Sequence, residues 1–172
     1  MIPRAAPVVI LLLLSGCVLE TDGRFPAHNQ TRSTEDPDFE NLVVSGTLTG
    51  GGEMVRIDAV AENQGPHPYK VSSICAPVWS DDMSGRLGPV HHREPMAYCE
   101  AFGLREFKPG ERIPYAVEWD GRVWDSQAGR YEAGSPGNYT WQASVEVFKG
   151  GEQTEFETRG HVRLKFDVTL RG

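Results

Sequence analysis

Four stretches of this chain alternate apolar and polar residues with a period of two, and nothing else in the sequence restricts the fold as strongly. Val162, Leu164, Phe166, Val168 and Leu170 alternate with Arg163, Lys165, Asp167, Thr169 and Arg171. Tyr139, Trp141, Ala143, Val145 and Val147 do the same against Thr140, Gln142, Ser144 and Glu146. So do Ile113, Tyr115, Val117 and Trp119, and, further upstream, Val55, Ile57, Ala59 and Ala61. Side chains on a strand point alternately to opposite faces, so each run buries one face and wets the other. Leu42 to Leu48, Tyr69 to Trp79 and Tyr98 to Phe107 are weaker strand candidates. Turn clusters separate them: Gly50-Gly51-Gly52, Asn63-Gln64-Gly65-Pro66, Lys108-Pro109-Gly110-Glu111, Asp120-Gly121, Ser135-Pro136-Gly137-Asn138 and Lys149-Gly150-Gly151. About seven strands from residue 41 to residue 172 predict an all-β chain folded as a two-sheet antiparallel β-sandwich. No stretch carries a helical period. Pro114 lacks a ladder donor and belongs on an edge strand or at an outward-facing non-donor position.

The N-terminus obeys different rules. Arg4 is followed by an uncharged, mostly apolar run from Ala5 to Leu14. A bilayer span needs roughly 20 apolar residues, so this run is too short to cross but suits the apolar region of an export signal. It ends in Leu14-Ser15-Gly16-Cys17, which resembles the bacterial lipobox at all four positions. That resemblance implies a signal peptide over residues 1–16, cleaved before Cys17, and a lipidated (palmitate-bearing) Cys17 that holds the chain on a membrane. Each buried methylene contributes about 0.8 kcal/mol, so two or more acyl chains anchor stably where one would not. By resemblance to lipoprotein sorting signals, Val18 rather than Asp after the cysteine implies the outer membrane in a cell that has one. Residues 17–40 are expected to be the lipidated cysteine and a flexible polar tether, since Thr21, Asp22, Gly23, Asn29, Gln30, Thr31, Ser33, Thr34, Glu35, Asp36 and Pro37 leave little apolar content. As a coil, about 22 such residues would reach roughly 25 Å.

The net charge of −7 becomes −8 once Arg4 is removed with the signal, and an acidic surface argues against nucleic acid, which calls for a basic patch. Of the three cysteines, Cys17 goes to the lipid. Outside the cytosol the remaining pair, Cys75 and Cys99, is expected to form a disulfide. Its loop of about 25 residues is worth roughly 3.5 kcal/mol in the chain-entropy view. A metal or redox use of these cysteines lacks the C-x-x-C spacing that such chemistry favours.

Several motifs then fall into a familiar order. Phe107-Lys108-Pro109-Gly110-Glu111 is followed by Tyr115-Ala116-Val117-Glu118-Trp119-Asp120-Gly121 and then by Ser135-Pro136-Gly137-Asn138-Tyr139-Thr140, with Val60-Ala61-Glu62-Asn63-Gln64-Gly65 upstream. This progression resembles the intracellular proteinase inhibitor (BsuPI-like) family between about Leu42 and Phe148. The resemblance implies an immunoglobulin-like sandwich and a protease as the class of partner. Each piece also has a plain structural use: the Pro-Gly pairs set turns, Trp119 fills core, and Tyr139 is placed for a tyrosine corner. A fold-specifying motif does not by itself carry an activity.

No nucleophile elbow, zinc-protease helix, phosphate-binding loop or dinucleotide fingerprint occurs. Asp81-Asp82, Glu118 with Asp120, Asp125 and Glu132 read as an acidic surface, although a hydrolase would need two such carboxylates across a cleft. The reading is therefore non-enzymatic and needs no cofactor. It describes an envelope lipoprotein held on the bilayer by its anchor, with a protein-interaction module whose binding surface lies on the segments Ser80 to Met96 or Asp120 to Gly134. Trp124 and Tyr131 in the second segment are the candidate partner-binding residues, because aromatics on connecting segments make anchor points. The alternative is an envelope copper- or zinc-binding protein using His91, His92 and Met96, since imidazole and thioether suit copper.

Overall fold

The computed structural model describes residues 23–73, 78–95, 103–149 and 158–172. The signal segment, Cys17, Met96, and both Cys75 and Cys99 lie outside the described residues. All regular structure among the described residues is β, and the strands pair antiparallel throughout.

One sheet runs β1 (Phe25–Asp36), β2 (Phe39–Gly52), β3 (Met54–Asn63) and β8 (Arg112–Trp119), in that order. The second is built on β11 (Gly137–Lys149). One edge of β11 pairs along its whole length with β12 (Thr158–Leu170). Its other edge takes β5 (Trp79–Gly85) and then β4 (Tyr69–Ser72). Beyond these lie β6 (Gly88–Val90) on β5 and β7 (Leu104–Phe107) on β4. A separate pair, β9 (Arg122–Asp125) and β10 (Arg130–Ala133), belongs to neither sheet.

The alternating runs behave as expected. The apolar residues of β11 and β12 from Tyr139 to Val147 and from Val162 to Leu170 are buried and face Leu42, Val44, Leu48, Val55, Ile57 and Ala61 of the first sheet. Their alternate neighbours turn outward, which is what makes the molecule a two-layer sandwich. Trp119 sits at the centre of one end of the core, with its ring 5.3 Å from Phe25, 5.0 Å from Tyr139 and 6.4 Å from Trp141. Pro114 lies on β8, an edge strand, with its side chain outward.

The motifs flanking the strands close the two ends. Asn63 is fully buried; its amide donates to the carbonyls of His67 (2.9 Å) and Phe107 (3.0 Å) and accepts from the Gly65 N–H (3.0 Å). Its backbone binds the Pro109–Glu111 turn, where Gly110 takes a positive φ of 75°. At the other end the Tyr139 hydroxyl donates to the Ser135 carbonyl at 2.5 Å, the tyrosine corner anticipated from its place after Pro-Gly.

Three expectations need correction. Residues 17–40 are not tether to their end, because Phe25–Asp36 is a strand that pairs with β2 from Gly52 back to Phe39. Its polar composition hid it. It is held by ladder hydrogen bonds, by Phe25 in the core, and by side chains that cover the outer edge of β12. Gln30 donates to the Asp167 carbonyl (2.5 Å) and accepts from the Asp167 N–H (3.2 Å), so an amide side chain stands in for a missing strand. The sandwich domain accordingly begins before residue 41. The strand count is twelve among the described residues rather than about seven. Besides β1, the surplus lies where loops were expected: β5 and β6 fall on about half of Ser80 to Met96, and β9 and β10 on about half of Asp120 to Gly134.

Candidate interaction site

The β9–β10 hairpin owes its shape to Asp125. Its carboxylate accepts from the N–H of Gln127 (2.8 Å) and Ala128 (3.0 Å), and its carbonyl accepts from Gly129, which turns at φ 62°. The N–H bonds from Ala128 and Gln127 hold the Asp125 carboxyl below the usual carboxylate range. Trp124 and Tyr131 then fall directly opposite each other in register, with ring centroids 5.1 Å apart at 69°. The base of the hairpin is closed by Gly134 N–H to the Gly121 carbonyl (2.8 Å) and by the Trp119 indole N–H to the Arg122 carbonyl (2.6 Å).

The hairpin leans on the segment that follows β6. Trp124 N–H donates to the His91 carbonyl at 2.6 Å, and the Glu94 N–H donates to the Tyr131 hydroxyl at 2.9 Å. The two aromatics identified from sequence are thus brought together on one face, Trp124 half-buried and Tyr131 40% exposed.

Beneath that segment lies a group the sequence reading passed over. On β5 the inward positions are Trp79, Asp81 and Met83, so a carboxylate faces the core between two large apolar side chains. The Asp81 side chain has no solvent exposure. It accepts from the Trp141 indole N–H at 3.0 Å and from the Arg93 guanidinium. His92, its side chain also buried, brings Nε2 to 2.6 Å from the same carboxylate. Burial alone would push the Asp81 carboxyl up. The hydrogen bonding of His92 and Tyr115, the charge of His92 and the bond from Trp141 outweigh it and hold the group at about 2. The Tyr115 hydroxyl, enclosed and stacked at 5.1 Å on Trp79, is driven above its ordinary value by burial and by Asp81. A cavity of about 180 Å³ lies between β5 and residues 91–95.

The other acidic residues are engaged at the surface: Glu118 pairs with Arg56 at 2.9 Å, Glu132 with Arg130 at 2.8 Å, and Asp120 accepts from the Arg122 N–H. Of the expected metal ligands, Met96 lies outside the described residues, and the two histidines are engaged differently. His92 faces inward to Asp81, while His91 is exposed and contributes its carbonyl to Trp124. Among the described residues no group of three His, Cys, Asp or Glu side chains is placed to hold a metal ion. A larger groove of about 880 Å³ runs between the β5–β6 turn and residues 135–140, with Arg86 and Asp167 as its charged members.

Sequence missed the Asp81 centre because Asp81-Asp82 reads as a solvated doublet. Strand parity held the signal, since Asp81 shares a face with Trp79 and Met83.

No family model matches the chain, and no curated protein does. Solved structures give distant likenesses. One is β-glucosidase from Kluyveromyces marxianus in complex with glucose (9% identity, TM-score 0.34, covering 82% of this chain and 15% of that one). Another is the GH3 β-glucosidase of Bifidobacterium adolescentis (11% identity, TM-score 0.32, covering 79% and 17%). A third is β-glucosidase 3B from Thermotoga neapolitana in complex with α-D-glucose (17% identity, TM-score 0.34, covering 86% and 19%). The chain spans less than a fifth of the length of each, and the likenesses are too shallow to assign an activity or a family.

Proposed function

We propose that this chain is a lipid-anchored envelope protein whose sandwich is a non-catalytic interaction module, with the β9–β10 hairpin and residues 91–95 as its partner-binding face. The observation that carries the reading is the Trp124–Tyr131 pair. Two large aromatics sit opposite each other on a hairpin outside both sheets, tied by hydrogen bonds to a neighbouring segment, with Tyr131 still open to solvent. Rigid, partly exposed aromatics supply contact area at little conformational cost, which is why Trp and Tyr dominate the energetics of protein interfaces. The anchoring half of the reading comes from Leu14-Ser15-Gly16-Cys17, and the resemblance to the proteinase inhibitor family makes a protease the class of partner.

The test uses the mature chain, because β1 is part of the fold and a bait starting at residue 41 would lack it. Detergent-solubilised envelope is passed over this bait and over a second one in which residues 122–133 are replaced by a Gly-Ser linker. Capture of one protein by the first bait and its loss from the second supports the reading, and an inhibition assay follows when that protein is a protease. Equal capture by both baits places the face elsewhere, and capture by neither refutes it. Mass spectrometry of the N-terminal peptide tests the anchor separately: acyl chains on Cys17 are expected, and a free thiol there would refute the lipidation.

A further inference from the structure

Four consecutive residues after β6 divide their work in a regular way. His91 and Glu94 hold the hairpin, through the His91 carbonyl on Trp124 N–H and the Glu94 N–H on the Tyr131 hydroxyl. His92 and Arg93, between them, reach back to the Asp81 carboxylate. The hairpin needs such a brace. Two strands alone are marginal in water, and β9 and β10 pair with neither sheet.

A carboxylate among Trp79, Met83 and Trp141 is also costly to keep, because a buried charge is tolerated only when paired and hydrogen-bonded. The Arg93 guanidinium and the His92 imidazole that answer it come from the connecting segment, not from a strand of either sheet.

We propose that Asp81 is the positioning residue of the β9–β10 face. Its carboxylate locks residues 92 and 93, which fixes the His91 carbonyl and the Glu94 N–H in the places that orient Trp124 and Tyr131. Without the carboxylate, the 43%-exposed Arg93 side chain turns to water and His92 is left enclosed without its partner. The segment then lifts and the hairpin pivots about its base at Gly121 and Gly134. The purpose of the face rests on the interaction reading above, whereas the coupling is a property of the fold alone.

Hydrogen exchange on the full mature chain in detergent tests this with Asp81→Asn, which keeps the shape and can still accept from Trp141. The expected result is acceleration of exchange at the Trp124 and Glu94 amides at least tenfold greater than at the β11 and β12 amides, whose rates follow the global stability. Arg93→Gln is the second variant should Asp81→Asn fold poorly; the same local pattern is expected, and Arg93→Lys should restore most of the protection. Unchanged protection at Trp124 and Glu94, or a rise there no greater than in β11 and β12, would overturn the proposal. Local loosening in a protein that captures no partner would leave the coupling standing and remove the interaction reading.

Discussion

Acidifying this protein protonates a carboxylate that its interior is arranged to keep charged. Asp81 titrates at about 2 against an ordinary value of 3.8, a difference worth about 2 kcal/mol of folding stability. The sign follows from a folded-state value lying below the unfolded one. The contribution is complete above about pH 4 and is lost as pH falls from there through 2. The side chain is fully enclosed, so solvent screening does not discount the figure. Other carboxylates add to the acid sensitivity, among them Asp58 beside Arg56 and Glu111, whose hydrogen bonds from Lys108 and Arg105 outweigh its burial. The assay must therefore be differential. Urea unfolding of wild type and Asp81→Asn at pH 6, 4, 3 and 2 gives a stability gap at each pH. That gap should narrow by about 2 kcal/mol between pH 4 and pH 2, because the variant has no carboxylate at 81 to titrate. A gap independent of pH would show that the Asp81 carboxyl is not held low, and the electrostatic account of the site would fail.

Other consequences can be checked by simpler means. Asn63→Ala strips the partners from two carbonyls and one N–H at a fully buried position and should cost about 3 kcal/mol in chemical denaturation; a loss within 0.5 kcal/mol would contradict the assigned bonding. Gly160→Ala sets a Cβ 2.1 Å from the buried Phe39 ring and should destabilise by about 1–3 kcal/mol, whereas a neutral result would mean that β12 does not pack there as described. Thiol titration of the native protein should find Cys75 and Cys99 unreactive until reduction, and reduction should remove about 3.5 kcal/mol; two free thiols at the outset would rule out their pairing.

The layers of the sandwich were legible because their strands bury one full face. In β12, five alternate residues from Val162 to Leu170 are buried, and period two needs no tertiary knowledge to see. β1 was not legible for the converse reason. Asn29, Gln30, Thr31, Ser33 and Thr34 carry no apolar stripe, since the strand gains its hold through backbone pairing and through the Gln30 amide on the Asp167 backbone. The hairpin was hidden in part by its shortness: four residues on each strand are too few for alternation to stand out, although Asp125 and Gly129 bracket a turn. Trp124 and Tyr131 were identifiable as residue types but not as opposite partners, because only the register places them face to face. The Asp81 centre is the instructive miss. Its polar neighbour Asp82 made the pair look like surface, and its partners His92 and Arg93 come from a segment about eleven residues downstream whose path sequence does not define.

The claim that the hairpin is the working face is tested most directly by site-specific photo-crosslinking in intact envelope. A photoreactive phenylalanine is placed at Tyr131 in one sample and at Thr47, on the outer face of the first sheet, in another. The account predicts one discrete crosslinked protein from position 131, lost when residues 91–95 are replaced by glycine and serine, and none from position 47. The same products from both positions, or none from 131 while the protein is folded and anchored, would contradict it.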